Sequence, residues 1–399
     1  MNKNILNTGV QDFINNNLTT DIVSVLLKKS TFDTISSKQL AEQIEAKKKC
    51  EFKLPSWYKT KKIYYPNKLN IEQCSSEITA EYKAQIVEGK SLVDLTGGFG
   101  VDSFYFSKKI EQVFHCEINE KLSKIAAHNF DVLGVKNTTV IPFNGLDFLE
   151  NSNAVYDWIY LDPSRRSTSQ RKVFLLSDYT PDIMEHLELL FKKSNNILLK
   201  TSPLLDISSG LKQLKNVKEI HIVAVNNEVK ELLWMLQGGF MNEVKVKTIN
   251  LKKGLKETYD FTWSEEKRTS SSFTEPQNFL YEPNAAILKA GAFKLVAKDF
   301  KVGKLDLHSH LYTSEELVQF PGRSFKIEKI IDFNKKELKK LTDTKANITV
   351  RNFPENVENI RKRFKIKDGG DDYLFFTTIN NNQYKMIQCT KINTISISI

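Results

Sequence analysis

The chain has 399 residues, 40% of them hydrophobic and 27% charged, and a formal net charge of +10. This length excludes a single ordinary domain, while the apolar content is ample for two or three cores. The positive charge favours a polyanionic partner such as nucleic acid.

The four cysteines are scattered and form no Cys-x-x-Cys pair, which argues against a zinc site and against a disulfide framework. No metal site is therefore predicted. No apolar run approaches the roughly 20 residues that cross a bilayer, so a soluble, cytoplasmic protein without membrane contact is expected.

Residues 1–70 show helical spacing of apolar side chains, which predicts an N-terminal helical domain. Its end is a basic and aromatic segment, residues 53–66, with Trp57, Tyr58, Tyr64 and Tyr65 among lysines. These rings are suited either to stacking on nucleic-acid bases or to docking a linker on the next domain, and the pattern leaves both interpretations open.

Apolar runs alternate with helical stretches from residue 71 to about residue 265, which predicts an α/β domain with a parallel sheet and helices on both faces. The stretch 228–236 is predicted as a helix. The predicted strands are 92–95, 113–116, 139–141, 158–161, 197–199, 219–225 and 258–263.

The first of these strands runs into Asp94-Leu-Thr96-Gly-Gly-Phe-Gly-Val-Asp102, a glycine-rich turn that opens onto a helix. Glycine tolerates positive φ and has no Cβ, so a ligand can lie against the backbone of Gly97, Gly98 and Gly100. A dinucleotide fingerprint would require a third glycine where Ser103 stands, and a P-loop would require Lys-Ser or Lys-Thr after the last glycine. Both of those nucleotide classes are disfavoured.

The glycine motif resembles the first motif of class I S-adenosylmethionine-dependent methyltransferases. The resemblance implies a Rossmann-like, seven-stranded core with S-adenosylmethionine as cofactor. It places the cofactor near the motif itself, through Asp94, Thr96, Gly97, Gly98, Gly100 and Asp102.

Two acidic residues follow the next predicted strands, where parallel sheets bind ligands. Glu117, with Ile118 beside it, is expected to accept from the ribose hydroxyls, although a solvated strand end is the plainer interpretation. Asp147 is expected to accept from the adenine amino group, as the resemblance implies, with a helix N-cap as the alternative.

The fourth strand is followed by Asp162-Pro163-Ser164-Arg165-Arg166, which resembles the Asp-Pro-Pro-Tyr motif of amino- and base-directed methyltransferases. Asp162, Pro163 and Ser164 are the predicted catalytic residues, because a methyl acceptor must be oriented toward the donor. Serine and arginine replace the family's second proline and its aromatic ring. The two arginines are predicted to bind substrate phosphate or carboxylate, or else to form structural ion pairs.

A polar, serine-rich stretch at residues 265–276 marks a domain boundary, and a methyltransferase domain is therefore predicted over residues 71–265. Residues 276–325 are predicted as a small ferredoxin-like module, and residues 326–399 as a compact βαβαββ domain with a helix over 335–341. Residues 321–399 hold 16 Lys and Arg against nine Asp and Glu. Most of the excess positive charge lies there.

The whole arrangement resembles a bacterial family of methyltransferases with a THUMP-like C-terminal domain. That likeness implies an RNA substrate, tRNA or rRNA. A non-catalytic RNA-binding protein that retains the fold, and a methyltransferase for proteins or small molecules, remain the alternatives. The sequence indicates neither the methylated atom nor the oligomeric state.

Overall fold

The structure of the chain, a computed structural model, describes residues 1–165, 176–334, 344–380 and 383–392. It divides into two units, Met1–Lys218 with Leu233–Met241 and Glu219–Leu232 with Asn242–Ile399. The predicted helix at 335–341 and the residue Arg166 lie outside the described residues.

The first unit begins with helices, as predicted for residues 1–70. A capping box between Ser36 and Gln39 starts the longest of them, because each side chain satisfies a backbone N–H that the first turn leaves free. These elements are a 3₁₀ turn at Lys3–Leu6 and the helices α1 (Thr8–Asn16), α2 (Ile22–Leu27), α3 (Ser37–Lys53), α4 (Pro55–Lys59), α5 (Lys68–Gln73) and α6 (Glu77–Ala84).

The basic and aromatic segment docks on the following domain. Trp57 is fully buried and lies 4.8 Å, between ring centroids, from Phe99 of the glycine-rich turn. Tyr65 is buried as well, and its hydroxyl donates to the carbonyl of Trp57. For these two rings the structure supports docking rather than stacking on bases.

A parallel sheet follows in the same unit, with the strand order β7-β4-β1-β2-β3. Its strands are β1 (Ser91–Asp94), β2 (Gln112–Cys116), β3 (Thr138–Ile141), β4 (Trp158–Leu161) and β7 (Asn196–Thr201), and a short ribbon joins β5 (Ser164–Arg165) to β6 (Tyr179–Thr180). The helices are α7 (Val101–Phe106), α8 (Glu120–Val132), α9 (Gly145–Asn151), α10 (Ile183–Lys193) and α11 (Ile207–Gln213), with a 3₁₀ turn at Leu176–Asp178.

The predicted helix at 228–236 is wrong, since β8 (Val217–Val225) is followed by a second strand, β9 (Glu228–Gln237). Asn226 and Asn227 adopt φ of 50° and 66°, the left-handed pair of a two-residue hairpin turn. The apolar run of β9 is fully buried, and such a run has no period that separates strand from helix. With β9 and β10 (Lys245–Lys252), this sheet has nine strands among the described residues, against the seven predicted.

In the second unit, β10 pairs in parallel with β8 and antiparallel with β11 (Leu255–Thr262). A separate seven-stranded sheet has the order β13-β14-β12-β15-β18-β17-β16. Its strands are β12 (Phe279–Pro283), β13 (Gly303–Lys304), β14 (Tyr312–Ser314), β15 (Gly322–Asp332), β16 (Asn347–Arg351), β17 (Asp372–Ile379) and β18 (Gln383–Ile392), and the helices of the unit are α12 (Trp263–Arg268), α13 (Ala285–Ala290), α14 (Phe293–Asp299) and α15 (Val357–Phe364).

An ion-pair cluster joins three strands of that sheet. The buried carboxylate of Glu282 on β12 binds both Arg323 of β15 and Arg351 of β16. Because a buried carboxylate is costly unless it is paired, two arginines on different strands hold this part of the sheet in register.

Candidate functional site

The glycine-rich turn lies directly on the carboxyl end of the neighbouring strand. The N–H of Gly97 donates to the carbonyl of Cys116 at 2.8 Å. A Cβ at position 97 would lie 2.2 Å from the imidazole Cε1 of His115, so no larger residue fits without displacing that ring. Close packing on β2 therefore requires glycine here.

Gly98 occupies the opposite, open side of the turn. Its φ is +57°, and the nearest atom to an added Cβ is the carbonyl oxygen of Thr96 at 3.8 Å. The backbone at this position is thus accessible to a ligand, as bare main chain at a ligand site must be.

A buried polar chain supports the turn from behind. Ser103 Oγ donates to Asp94 Oδ2 at 2.6 Å and lies 3.0 Å from His115 Nδ1, while Asp94 Oδ1 accepts from the N–H of Thr96 at 3.1 Å. Burial raises the pKa of Asp94 to about 7 and lowers that of His115 to about 4. The Asp94 carboxyl group is thus buried and hydrogen-bonded to Ser103 and Thr96 inside the protein.

The shifted pKa values of Asp94 and His115 have opposite effects on the stability of the fold between pH 4 and 7. Asp94, raised from 3.8, stabilises the fold at low pH, and this contribution is lost as the pH rises through 7. His115, lowered from 6.5, stabilises the fold at high pH, and this contribution is lost as the pH falls through 4. The shift of the Asp94 pKa is worth about 4 kcal/mol at most and that of the His115 pKa about 3 kcal/mol, so their effects largely cancel.

We expect single substitutions to reveal the two slopes. Relative to wild type, the free energy of unfolding of His115→Gln should rise by about 3 kcal/mol as the pH falls from 7 to 4, and that of Asp94→Asn should fall by about 4 kcal/mol over the same range. Urea unfolding followed by circular dichroism at several pH values measures both. Identical pH slopes in wild type and both variants would contradict the assignment.

Asp102, the other acidic residue of the motif, also points inward. Its carboxylate accepts from the hydroxyls of Ser75 and Tyr160, each at 2.8 Å, and lies 3.2 Å from the Lys83 ammonium, which is fully buried. Burial alone would raise the pKa of Asp102, but the charge of Lys83 holds it below its usual value. This cluster joins α6, α7 and β4 beneath the glycine-rich turn.

Glu117 lies against the open side of the turn. Its Oε2 accepts from the N–H of Gly98 at 2.8 Å, and its Oε1 accepts from the N–H of Asn119 at 2.6 Å. Two large apolar side chains stand exposed near the same strand ends, Ile118 after β2 at 72% and Phe143 after β3 at 51%. A carboxylate and exposed apolar side chains at neighbouring strand ends suit a group that combines hydroxyls with a flat ring.

Asp147 is not the N-cap of its helix. Asn144 has that role, since its Oδ1 accepts from the N–H groups of Leu146 and Asp147. The Asp147 carboxylate is exposed and has no hydrogen-bond partner among the described residues. A Cβ on Gly145 would lie 2.3 Å from the carbonyl oxygen of Leu95, so the start of α9 lies against the glycine-rich turn.

Asp162 is tied to the same turn from the other side. Its N–H donates to Thr96 Oγ1 at 2.6 Å, and its carboxylate forms an ion pair with Lys200. Pro163 is buried and Ser164 is exposed at the start of the β5 ribbon. Glu117 and Asp162 therefore lie on either side of one loop, each one hydrogen bond away from it.

The backbone of Arg165 pairs with that of Tyr179 in the β5–β6 ribbon. The predicted substrate contacts of Arg165 and Arg166 stay predictions, because the structure describes neither side chain.

Lys200 was not among the predicted site residues. It lies at the end of β7, and its side chain is only 14% exposed. The sequence does contain a signal for it, because Lys200 follows the apolar run 197–199 and ligands bind at the carboxyl ends of parallel strands.

No helix in the described ranges is both long and apolar enough to cross a membrane. Among the same residues, no group of three or more His, Cys, Asp and Glu side chains is placed to hold a metal ion.

Comparisons with known proteins identify two C-terminal domains and a relative that matches nearly the whole chain. A family model described as THUMP domain-like matches residues 322–391, and one described as a ferredoxin-like domain matches residues 279–321. The chain is similar to a crystal structure from Porphyromonas gingivalis W83 that is provisionally described as a methyltransferase. The identity is 32%, the match covers 98% of this chain and 99% of that chain, and the TM-score is 0.88.

Two further solved structures match part of the chain. TrmK of M. capricolum, in complex with S-adenosyl-homocysteine, is 17% identical over 41% of this chain and 68% of that chain, with a TM-score of 0.32. An rRNA methylase from Streptococcus thermophilus is 14% identical over 40% of this chain and 94% of that chain, with a TM-score of 0.30. No curated protein sequence matches the chain.

Proposed function

Because the chain belongs to the class I methyltransferases with a C-terminal THUMP-like domain, we propose that it transfers a methyl group from S-adenosylmethionine to a base of tRNA or rRNA. The observation that carries the proposal is the pair of carboxylates, Glu117 and Asp162, on either side of the open glycine-rich turn. In this proposal Glu117 binds the cofactor and Asp162 orients the methyl acceptor.

The residues present fit the cofactor. Glu117 would accept from the ribose hydroxyls, the exposed Ile118 and Phe143 would contact the adenine ring, and Asp147 would accept from its amino group. The backbone at Gly98 would border the methionine portion. When bound, S-adenosylmethionine supplies an electrophilic methyl group on a sulfonium.

Asp94 and Asp102 have a different role in this proposal. Both carboxylates are occupied by internal partners, so they hold the turn and α7 in position rather than contact the cofactor. Thr96 connects Asp94 with Asp162, because its N–H donates to the Asp94 carboxyl group and its hydroxyl accepts from the Asp162 backbone.

The charge of the C-terminal unit supports an RNA substrate. Arg361 and Arg363 on α15 are engaged with Asp368 and Glu355. The neighbouring Lys362, Lys365 and Lys367 are exposed and form no ion pair with another described residue. Exposed lysines of this kind neutralise phosphates, and binding that depends on them weakens as salt increases.

Calorimetry with S-adenosylmethionine tests the cofactor half. Glu117→Gln keeps the shape but removes the charge, and we expect the dissociation constant to rise by about one to two orders of magnitude, since hydrogen bonds to a charged acceptor are the stronger kind. The matched control is Glu120→Gln, an exposed residue of α8 whose partner is Lys124, and it should bind as wild type does. Equal affinity for Glu117→Gln and wild type would reject the assigned site.

Transfer of a labelled methyl group to RNA tests the acceptor half and separates the alternatives. The substrate is total RNA from cells that lack the gene. A non-catalytic RNA-binding protein would bind this RNA without labelling it. A protein or small-molecule methyltransferase would bind the cofactor and leave RNA unlabelled.

A further inference from the structure

The acceptor side of the site carries a charge pair rather than a single carboxylate. Asp162 directly follows β4 and Lys200 lies near the end of β7, and the two strands are parallel neighbours with Leu161 opposite Leu199. Their side chains are 28% and 14% exposed, so the pair is partly shielded but open to a ligand. Lys200 binds Asp162 Oδ2, and Oδ1 has no hydrogen-bond partner among the described residues.

This pairing is poorly suited to methylation of an exocyclic amine. Such a nitrogen becomes positively charged as it gains the methyl group, and a bare carboxylate or a carbonyl stabilises that charge. Here the ammonium of Lys200 already neutralises Asp162 and would lie near the developing positive charge. The ammonium and the positively charged nitrogen would repel each other.

We infer that the acceptor base presents a lactam edge, an N–H beside a C=O as in guanine or uracil, to Asp162 and Lys200. The inference rests on the proposed function. The free Oδ1 of Asp162 accepts from the ring N–H, and Lys200 donates to the neighbouring carbonyl oxygen. A carboxylate beside an ammonium thus matches the donor and acceptor of the lactam.

Asp162 and Lys200 together account for the proton and the charge that the reaction displaces. Asp162 takes the proton from the ring nitrogen, and the electron pair of the broken N–H bond delocalises onto the nitrogen and the carbonyl oxygen. Once Asp162 is protonated, Lys200 pairs with the lactam anion instead of with the carboxylate. No isolated charge is created. The nitrogen forms its bond to the methyl carbon as the carbon–sulfur bond breaks, with that electron pair retained by sulfur.

Identification of the methylated nucleoside is the first test. Total RNA from cells that lack the gene is incubated with the full-length protein and deuterated-methyl cofactor, digested and analysed by mass spectrometry. Guanosine or uridine labelled on the lactam nitrogen is the expected result. Label on an exocyclic amine or a ribose hydroxyl overturns the inference and leaves RNA methylation intact, whereas unlabelled RNA overturns the proposed function with it.

Variants of Lys200 give a second, independent test. We expect Lys200→Met to lower kcat on RNA by about 10²–10³-fold, the usual effect of removing a donor to a developing oxyanion, and Lys200→Arg to restore most of it. Cofactor affinity by calorimetry should stay as in wild type. The matched control is Lys192→Met, an exposed lysine of α10. A purely structural lysine would lower stability and leave kcat unchanged.

Binding without turnover gives a third readout. Oligouridine is compared with oligocytidine, and oligoinosine with oligoadenosine, because the bases in each couple differ only at the lactam edge. Wild type should prefer uridine and inosine, and Lys200→Met should lose this preference while keeping its general affinity for RNA. No preference in wild type would contradict the inference.

Discussion

Replacing Asp162 by asparagine should lower kcat for methyl transfer to RNA by about 10³-fold and leave the affinity for S-adenosylmethionine unchanged. The carboxylate is the only part of Asp162 that this substitution alters. The contact with the glycine-rich turn comes from its backbone N–H, which donates to Thr96. Loss of acceptor chemistry without loss of cofactor binding is therefore the expected pattern.

The matched control is Asp206→Asn. Asp206 is also an aspartate that follows a strand of the same sheet, β7, but it caps α11 by accepting from the N–H of Ser209. Asparagine caps helices about as well as aspartate, so this variant should keep full activity. Single-turnover rates and cofactor calorimetry on both variants are the measurements. A full rate for Asp162→Asn would remove Asp162 from the reaction.

The family and its fold class could be predicted because both depend on local patterns. Alternation of strands and helices indicates a parallel sheet, and the glycine-rich turn needs only neighbouring residues to be recognised. Glu117 and Asp162 followed from the same rule, because residues at the carboxyl ends of parallel strands meet at one edge. The structure places both beside the turn.

The inward orientation of the Asp94 and Asp102 side chains could not be predicted in the same way. Both stand in the motif and are polar, yet one ends a buried strand and the other lies on the inner face of a short helix. Which side of the turn a side chain faces depends on partners distant in the chain, such as Lys83 and His115. Sequence spacing alone does not reveal those partners.

The hairpin at Asn226 and Asn227 was missed for a different reason. Two asparagines in succession are a turn signal, because this residue tolerates positive φ, but the apolar run after them was interpreted as a helix. A continuous run of Leu, Trp and Met has neither the period of a helix nor that of a half-buried strand. In such a run the turn residues before it are the better guide.

Replacing Lys83 by methionine should lower the free energy of unfolding by about 3–5 kcal/mol. The Lys83 side chain is fully buried and its ammonium lies 3.2 Å from Asp102, whose carboxylate is 10% exposed. Methionine fills much of the same space but leaves the carboxylate buried without its counter-ion. The cost of that uncompensated charge, rather than lost packing, dominates the expected effect.

Urea unfolding of three variants separates charge from packing. Lys83→Met combined with Asp102→Asn should recover part of the loss, because the double variant leaves no orphan charge and retains an acceptor for Ser75 and Tyr160. Lys124→Met removes an ammonium from an exposed pair with Glu120 and should change stability little. If the double variant is less stable than Lys83→Met alone, buried charge is not the cause. Because the same cluster holds α7 beneath the glycine-rich turn, Lys83→Met should also weaken cofactor binding, and the double variant should restore it in parallel with stability.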